Sequence, residues 1–515
     1  MKKFVLNLGF VLLGVISMAQ SKKQLQTLDK YYEKTLEEWN IPGMAIAIVS
    51  GDEIVFSKGY GYANLEEKTK VDENTLFAIA SNTKSFTAMS IGQLVDQKRL
   101  SWDDKVIDYL PYYRSYNNYV TNETTVADLL CHRSGLETFS GDLLWYGTDL
   151  SSEEIINAAQ HLEPIYGFRE HYGYSNIQFI AAGMILEAVT DTGWVDYVRF
   201  HFLDPLGMER TITSTNDIKN TSNVATPYYD NGKQNVQLDW VNWDNMAPAG
   251  ALISSVTDYA QWLKLNIHRG VYNGKKYISD SNFEEMTTMH VVSKVSNFSR
   301  ENFPSKHFSG YGLGWSLQDY HGYKIITHGG GYDGMISKSC VVPEKELGLI
   351  ILTNNLNWAT GALMNKTLDV LLNDDNKGED WSSMYLEFKT KGDEKNAKKQ
   401  KESDKQRGKI GKMSFDNDDY TGTYTDKMYG DVIVWEEKGN LHFKMTRTAI
   451  FEAELEHWNL NTFTFHFDPN LVSLGEGKLW FELDKNGEIE ALMIDLPNPD
   501  FYFDEFNFIR NDEKN

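Results

Sequence analysis

Leu25, Leu28, Tyr32, Leu36 and Trp39 recur at helical spacing and stop short of Pro42-Gly43, which predicts an amphipathic helix ending there. Directly afterwards, Met44 to Val49 and Glu53 to Ser57 flank Ser50-Gly51-Asp52, the pattern of a β-hairpin with a tight turn. A helix feeding a hairpin implies helices and sheet packed in layers. Helical and strand-like segments then mix from Phe77 to the 370s. Leu349 to Leu352 is a short apolar run of the buried-strand kind, followed by a helix through Leu363 to Leu372. Residues 389–409 hold almost nothing apolar, as in a solvated helix or a linker, and a domain boundary is placed there. Beyond it come Val432 to Trp435, Leu441 to Met445, Phe463 to Phe467, Leu479 to Leu483, Ile489 to Ile494 and Phe501 to Phe508. These short alternating runs are separated by turns such as Lys438-Gly439-Asn440 and Lys485-Asn486-Gly487, so the tail reads as all-β, a small barrel or sandwich.

A chain of 515 residues is long for one domain, and 41% hydrophobic with 13% aromatic residues supports a sizeable packed core. The net charge of −23 opposes binding to phosphate backbones, so no nucleic-acid partner is expected. The first residues have the form of an export signal. Lys2 and Lys3 precede the apolar run Phe4 to Ile16, and Ser17-Met18-Ala19 supplies small residues for a cut before Gln20. That run is shorter than the ~20 residues a spanning helix needs, so an exported, periplasmic or secreted protein without a transmembrane segment is expected. The two cysteines, Cys131 and Cys340, show no metal-ligand spacing and are read as two unpaired thiols. The twelve histidines form no metal-binding motif, and no cofactor is implied.

The candidate chemistry lies in three pieces. In Phe77-Ala78-Ile79-Ala80-Ser81-Asn82-Thr83-Lys84, a serine stands three residues before a lysine as a helix begins, which brings both side chains to one face. A serine hydroxyl needs a neighbour that takes its proton or stabilises its alkoxide, and Lys84 can do either. This is the one Ser-x-x-Lys in the sequence. The second piece is Gly173-Tyr174-Ser175-Asn176, running into an apolar helix. Tyr116-Asn117-Asn118 and Tyr229-Asp230-Asn231 share its spacing, but the turn before a buried helix selects Tyr174. A phenol there serves as a general base where cations lower its pKa, and Asn176 offers an amide to a substrate carbonyl. The third is His328-Gly329-Gly330-Gly331 after the strand-like Lys324 to Thr327, where glycines let a substrate lie against a strand edge whose N–H groups bind an oxyanion.

Taken in order, Ser81-x-x-Lys84, Tyr174-x-Asn176 and His328-Gly329-Gly330 resemble the three motifs of serine β-lactamases and penicillin-recognising enzymes, particularly the class C-like branch with its esterases and D-amino-acid peptidases. Leu129-Leu130-Cys131-His132-Arg133-Ser134-Gly135-Leu136, Pro205-Leu206-Gly207-Met208, Pro248-Ala249-Gly250-Ala251-Leu252 and Tyr311-Gly312-Leu313-Gly314-Trp315 are similar to connecting segments of the same family, and the likeness covers roughly residues 24 to 375. The resemblance implies an α+β fold: a three-layer α/β/α core with an antiparallel sheet, an all-helical region, and a site between them. It also implies acylation of Ser81, deacylation by water, and an oxyanion hole from the N–H groups of Ser81 and Gly331. The tail is similar to the small barrel often appended to such hydrolases. The expected division is a leader over 1–19, a hydrolase domain over 20–388, a charged linker over 389–411 and a small all-β, lipocalin-like domain over 412–515.

The family's β-lactamases carry Lys-Thr-Gly where this chain has His328-Gly329-Gly330, and a neutral histidine attracts an antibiotic's carboxylate less. An ester or D-amino-acid peptide is therefore expected as substrate ahead of a β-lactam. No Gly-x-Ser-x-Gly occurs, which disfavours an α/β-hydrolase. The alternative from another class is a non-catalytic binding or scaffold protein that keeps the penicillin-binding fold. Oligomeric state is not legible in the sequence.

Overall fold

The structure is a computed structural model that describes residues 22–303, 305–372, 379–405, 411–468, 471 and 474–511. The leader expected over 1–19 lies outside the described residues.

The amphipathic helix forms over 22–38 and delivers the chain into the hairpin of strands Gly43–Ser50 and Glu53–Asn64. Ser50 pairs with Glu53 across Gly51-Asp52, and Gly51 takes φ 58°, the left-handed geometry such a turn requires. The second strand runs past the expected Ser57 because Gly59 and Gly61 are places of close backbone approach rather than breaks. A Cβ at Gly59 would stand 2.3 Å from Val71 O, and one at Gly61 2.2 Å from Pro42 O.

The hairpin joins an antiparallel nine-stranded sheet. Its order is Val291–Val292, Ser309–Tyr311, Ser316–Tyr320, Tyr323–Tyr332, Met335–Val342, Leu347–Thr353, Gly43–Ser50, Glu53–Asn64 and Thr69–Lys70. Its central strands are apolar on both faces, as a sheet covered by helices on each side must be. Ala45, Ala47 and Val49 face one core cluster with Leu263 of helix Val256–Ile267, whereas Met44, Ile46 and Ile48 face the other with Leu363 and Leu368 of helix Ala359–Leu372. The period of two in a strand thus assigns alternate residues to the two outer layers. Helices such as Lys84–Asp96, Val126–Cys131 and Asn176–Thr190 form the all-helical region beside the sheet. Cys131 and Cys340 are buried and free, one in each cluster.

The run read as a charged linker is, over its first part, the helix Trp381–Asp404, anchored where Trp381 is buried and donates to Asp369 at 2.7 Å. The tail is a closed barrel of eight strands: Gly422–Asp426, Gly430–Glu437, Asn440–Met445, Glu452–Asn459, Thr462–His466, Glu476–Leu483, Ile489–Asp495 and Phe508–Arg510. Two of these escape a reading of the sequence pattern. Glu452–Asn459 in particular alternates buried Ala453 and Leu455 with exposed Glu452, Glu454 and Glu456, a polarity easily taken for a loop. The expected strand Phe501 to Phe508 is a correction: only Phe508 belongs to a strand. Asn498 Oδ1 accepts from Asp500 N and Phe501 N in a local turn, and Phe503–Glu505 is a 3-10 turn.

Candidate active site

Ser81 lies on the 3-10 turn Ala80–Thr83, which leads directly into helix Lys84–Asp96. Ala80, just before it, has φ 45°, an uncommon conformation for a residue with a side chain. The surroundings hold it. Ser337 donates to Ile79 O at 2.7 Å and accepts from Asn82 Nδ2 at 2.8 Å, while Ser339 donates to Asn82 Oδ1 at 2.6 Å. Strand Met335–Val342 therefore clamps the turn that presents Ser81.

Lys84 is fully buried and its Nζ meets three oxygens: Ser81 Oγ at 3.1 Å, Asn176 Oδ1 at 2.6 Å and Ala249 O at 2.8 Å. Burial pulls its pKa down to about 7, with Asp142 acting in the opposite direction. Asn176, first residue of helix Asn176–Thr190, turns its amide nitrogen to Asp142 Oδ2 at 2.7 Å. Burial pushes Asp142 up to about 8, opposed by the nearby Trp145 indole, by the hydrogen bond from Asn176 and by the charge of Lys84. Asn176 thus bridges Lys84 and Asp142, with one of its two amide N–H bonds given to Asp142.

The Tyr174 phenol lies beside Ser81, and its ring lies 4.8 Å from Lys84 Nζ. Burial carries its pKa well above the ordinary value. This burial disfavours the phenolate, the form in which a tyrosine acts as a base. His132 grips the same segment from both sides: its O accepts from Gly173 N at 2.9 Å and its Nδ1 accepts from Ser175 N at 3.0 Å. Its ring packs on Tyr174 with centroids 4.1 Å apart, and burial holds it neutral.

Strand Tyr323–Tyr332 runs through the three glycines without interruption. They are not equivalent. A Cβ at Gly330 would stand 2.2 Å from Ile79 O and 3.0 Å from Ser81 N, whereas one at Gly329 or Gly331 meets nothing closer than 3.7 Å. Only Gly330 is required by space, and it brings the strand edge against the amide of Ser81. His328 is buried, with Nδ1 bonded to Gly329 O at 2.6 Å and Nε2 to Tyr311 Oη at 2.7 Å. The first contact needs an Nδ1–H, so Nε2 accepts from the tyrosine. Burial takes its pKa to about 3, with Lys84 adding to the effect.

Lys84 meets both Ser81 and Asn176, Tyr174 lies beside Ser81, Gly330 lies against the Ser81 amide, and His328 bonds Gly329 and Tyr311. Asp142 and Tyr311 complete the group. Tyr311 opens a family-like segment, so a signal for it existed. Asp142 lies in Gly141-Asp142 with no local motif, and only its approach to Asn176 reveals it. Among the described residues, no group of three or more His, Cys, Asp or Glu is placed to hold a metal ion.

An antiparallel sheet between helical layers, with a buried lysine one turn after a serine at the edge of a glycine-bearing strand, is the architecture of the serine β-lactamases and penicillin-binding proteins. A family model described as Beta-lactamase matches residues 28–374, and the chain belongs to that family. A second model, a domain of unknown function (DUF3471), matches residues 406–510, over the barrel. The chain is 30% identical over 460 residues to the unguisins hydrolase ungD' of Aspergillus campestris, covering 84% of this chain and 81% of that one. It is 26% identical over 343 residues to the protein flp of Staphylococcus aureus, with 64% and 63% covered. Among solved structures, the octameric penicillin-binding protein homologue from Pyrococcus abyssi superposes with TM-score 0.62 at 21% identity, covering 94% of this chain and all of that one. A D-stereospecific amidohydrolase from Streptomyces superposes with TM-score 0.52 at 23% identity, over 64% and 93%.

Proposed function

We propose that this protein is a serine hydrolase that acts on an ester or amide, with D-amino-acid peptides favoured over β-lactams, through an acyl-enzyme at Ser81. One observation carries the reading: Lys84 Nζ lies 3.1 Å from Ser81 Oγ in a buried setting that favours the neutral amine. A neutral amine has two N–H bonds and one lone pair. Asn176 Oδ1 and Ala249 O take the two N–H bonds, which leaves the lone pair for the Ser81 proton. Oγ attacks the carbonyl carbon as its proton moves to Lys84, and the N–H groups of Ser81 and Gly331 receive the oxyanion. The Tyr174 phenol, beside Ser81, relays a proton to the departing alcohol or amine. Water then cleaves the acyl ester by the reverse proton path and restores Ser81.

The buried neutral His328 supplies no positive charge for a substrate carboxylate, which lowers the expected rate with β-lactams. Relatives named as an unguisins hydrolase and a D-stereospecific amidohydrolase support the peptide-like substrate class. The leader supports export, with a mature chain starting near Gln20; a secreted protein whose intact mass retains Met1 contradicts this.

Labelling tests the mechanism. A fluorophosphonate or penicillin should add once to wild type and not to Ser81→Ala. Absence of any adduct with acylating probes favours the binding-protein alternative. A chromogenic short-chain ester or D-alanyl amide should turn over faster than a cephalosporin, and the reverse order overturns the substrate assignment.

A further inference from the structure

The barrel touches the loop behind the catalytic lysine through one carboxylate. Glu505, on the 3-10 turn Phe503–Glu505, accepts from Ser140 Oγ at 2.6 Å through Oε1 and from Gly141 N at 3.0 Å and Tyr429 Oη at 2.8 Å through Oε2. Residues 138–142 hold the site from two directions. Tyr174 N donates to Thr138 Oγ1 at 3.1 Å, and Phe139 N donates to Tyr174 O at 2.7 Å. Asp142, one residue past Gly141, carries the chain of contacts through Asn176 to Lys84. The same segment is conformationally costly, since Phe139 at φ 69° and Gly141 at φ 78° are both left-handed and flank Ser140. Such a conformation persists only where outside contacts hold it.

We propose that Glu505 is a positioning residue for the reaction at Ser81, supplied by the barrel: by holding Ser140 and Gly141 it fixes the loop that orients Tyr174 through its backbone and Lys84 through Asp142 and Asn176. This rests on the serine-hydrolase reading above. It gives the barrel a part in catalysis distinct from mere attachment. Elsewhere the barrel is anchored by Arg447, which pairs with Asp149 at 2.6 Å and Glu154 at 2.9 Å, with no contact to Asp142 or Asn176.

Glu505 also faces Tyr429 and Asp504, and Asp142 faces Lys84, Asn176, Trp145 and Glu505. Removing the negative charge of Glu505 lets Asp142 ionise more readily, and that anion favours the ammonium form of Lys84. The pH at which Lys84 becomes neutral therefore rises.

The test is second-order acylation by a fluorophosphonate across pH, on the full chain, with thermal unfolding measured in parallel. Glu505→Ala should lose about tenfold or more, the scale of effect a misplaced catalytic group produces. Glu505→Gln, which keeps an acceptor, should recover most of the rate with its acid limb moved to higher pH. Ser140→Ala, which removes one donor and spares the carboxylate, should lose less than Glu505→Ala and keep the wild-type limb; it serves where Glu505→Ala does not fold. Arg447→Ala should stay within about twofold of wild type, as expected for an exposed pair. Wild-type acylation in Glu505→Ala, or an equal loss in Arg447→Ala, overturns the inference while leaving Ser81 as nucleophile. A wild type that no acylating probe labels removes the serine-hydrolase reading itself.

Discussion

Asn176 joins Lys84 to Asp142: its Oδ1 lies 2.6 Å from Lys84 Nζ and its Nδ2 2.7 Å from Asp142 Oδ2. An amide has one accepting and one donating end, so this order leaves it no freedom to flip. Lys84 is thereby held toward Ser81 by a group that neither gains nor loses a proton. The arrangement sets the first expectation, which concerns pH.

In the proposed mechanism acylation needs the neutral amine of Lys84, whose pKa burial lowers to about 7. The rate should therefore rise through that pH and level off above it. His328, taken to about 3, stays neutral throughout and contributes no limb between pH 5 and 8. The pH profile of fluorophosphonate labelling checks this, and a rate that does not change between pH 5 and 9 contradicts Lys84 as base.

Tyr174→Phe should remove the phenol that lies beside Ser81 while keeping the ring against His132. Acylation is expected to fall by about 10²-fold, the usual scale for a general acid or base group. Because the ring contact survives, the thermal midpoint should hardly change. Equal rates in the two proteins mean that the phenol takes no part.

Gly330→Ala places a methyl 2.2 Å from Ile79 O and 3.0 Å from Ser81 N, so the strand edge must withdraw from the nucleophile. A loss of about 10²-fold in acylation is expected from such a shift. Gly329→Ala, whose methyl meets nothing closer than 3.8 Å, should be tolerated far better. Comparing the two variants by labelling rate checks this; equal effects refute the geometry.

Asp128 caps helix Val126–Cys131 with Thr125 and receives both Arg133 at 2.6 Å and Arg169 at 2.6 Å. Its side chain is 1% exposed, and truncating a buried ion-pair partner typically costs about 3 kcal/mol, which is expected for Asp128→Ala. Burial opposes its charge, yet the hydrogen bonds from Arg169 and Thr125 and the charge of Arg133 hold it below its ordinary 3.8. The unfolded chain therefore takes up this proton first as pH falls. The stabilisation is complete above pH 5 and fades toward acid, and Asp128→Ala should lose that part of the acid sensitivity in denaturant titrations.

The sequence by itself determined the class of fold and named the residues at the core of the candidate site. Period-two and helical patterns marked the opening helix, its hairpin and most barrel strands, because those signals are local. Ser81 with Lys84 was legible because one helical turn fixes their approach, and Tyr174 and His328 because they sit in segments whose order resembles a known family. Strand Glu452–Asn459 and the turn at Phe503–Glu505 were not legible, since outward glutamates mask alternation and the asparagine turn at 498 overrides an aromatic run. Only the tertiary structure decided which electrostatic environment each group has. Asp142, Tyr311 and Glu505 come from distant stretches of chain, and burial, which depends on everything packed around a group, is what lowers the pKa of Lys84, raises that of Tyr174 and lowers that of His328.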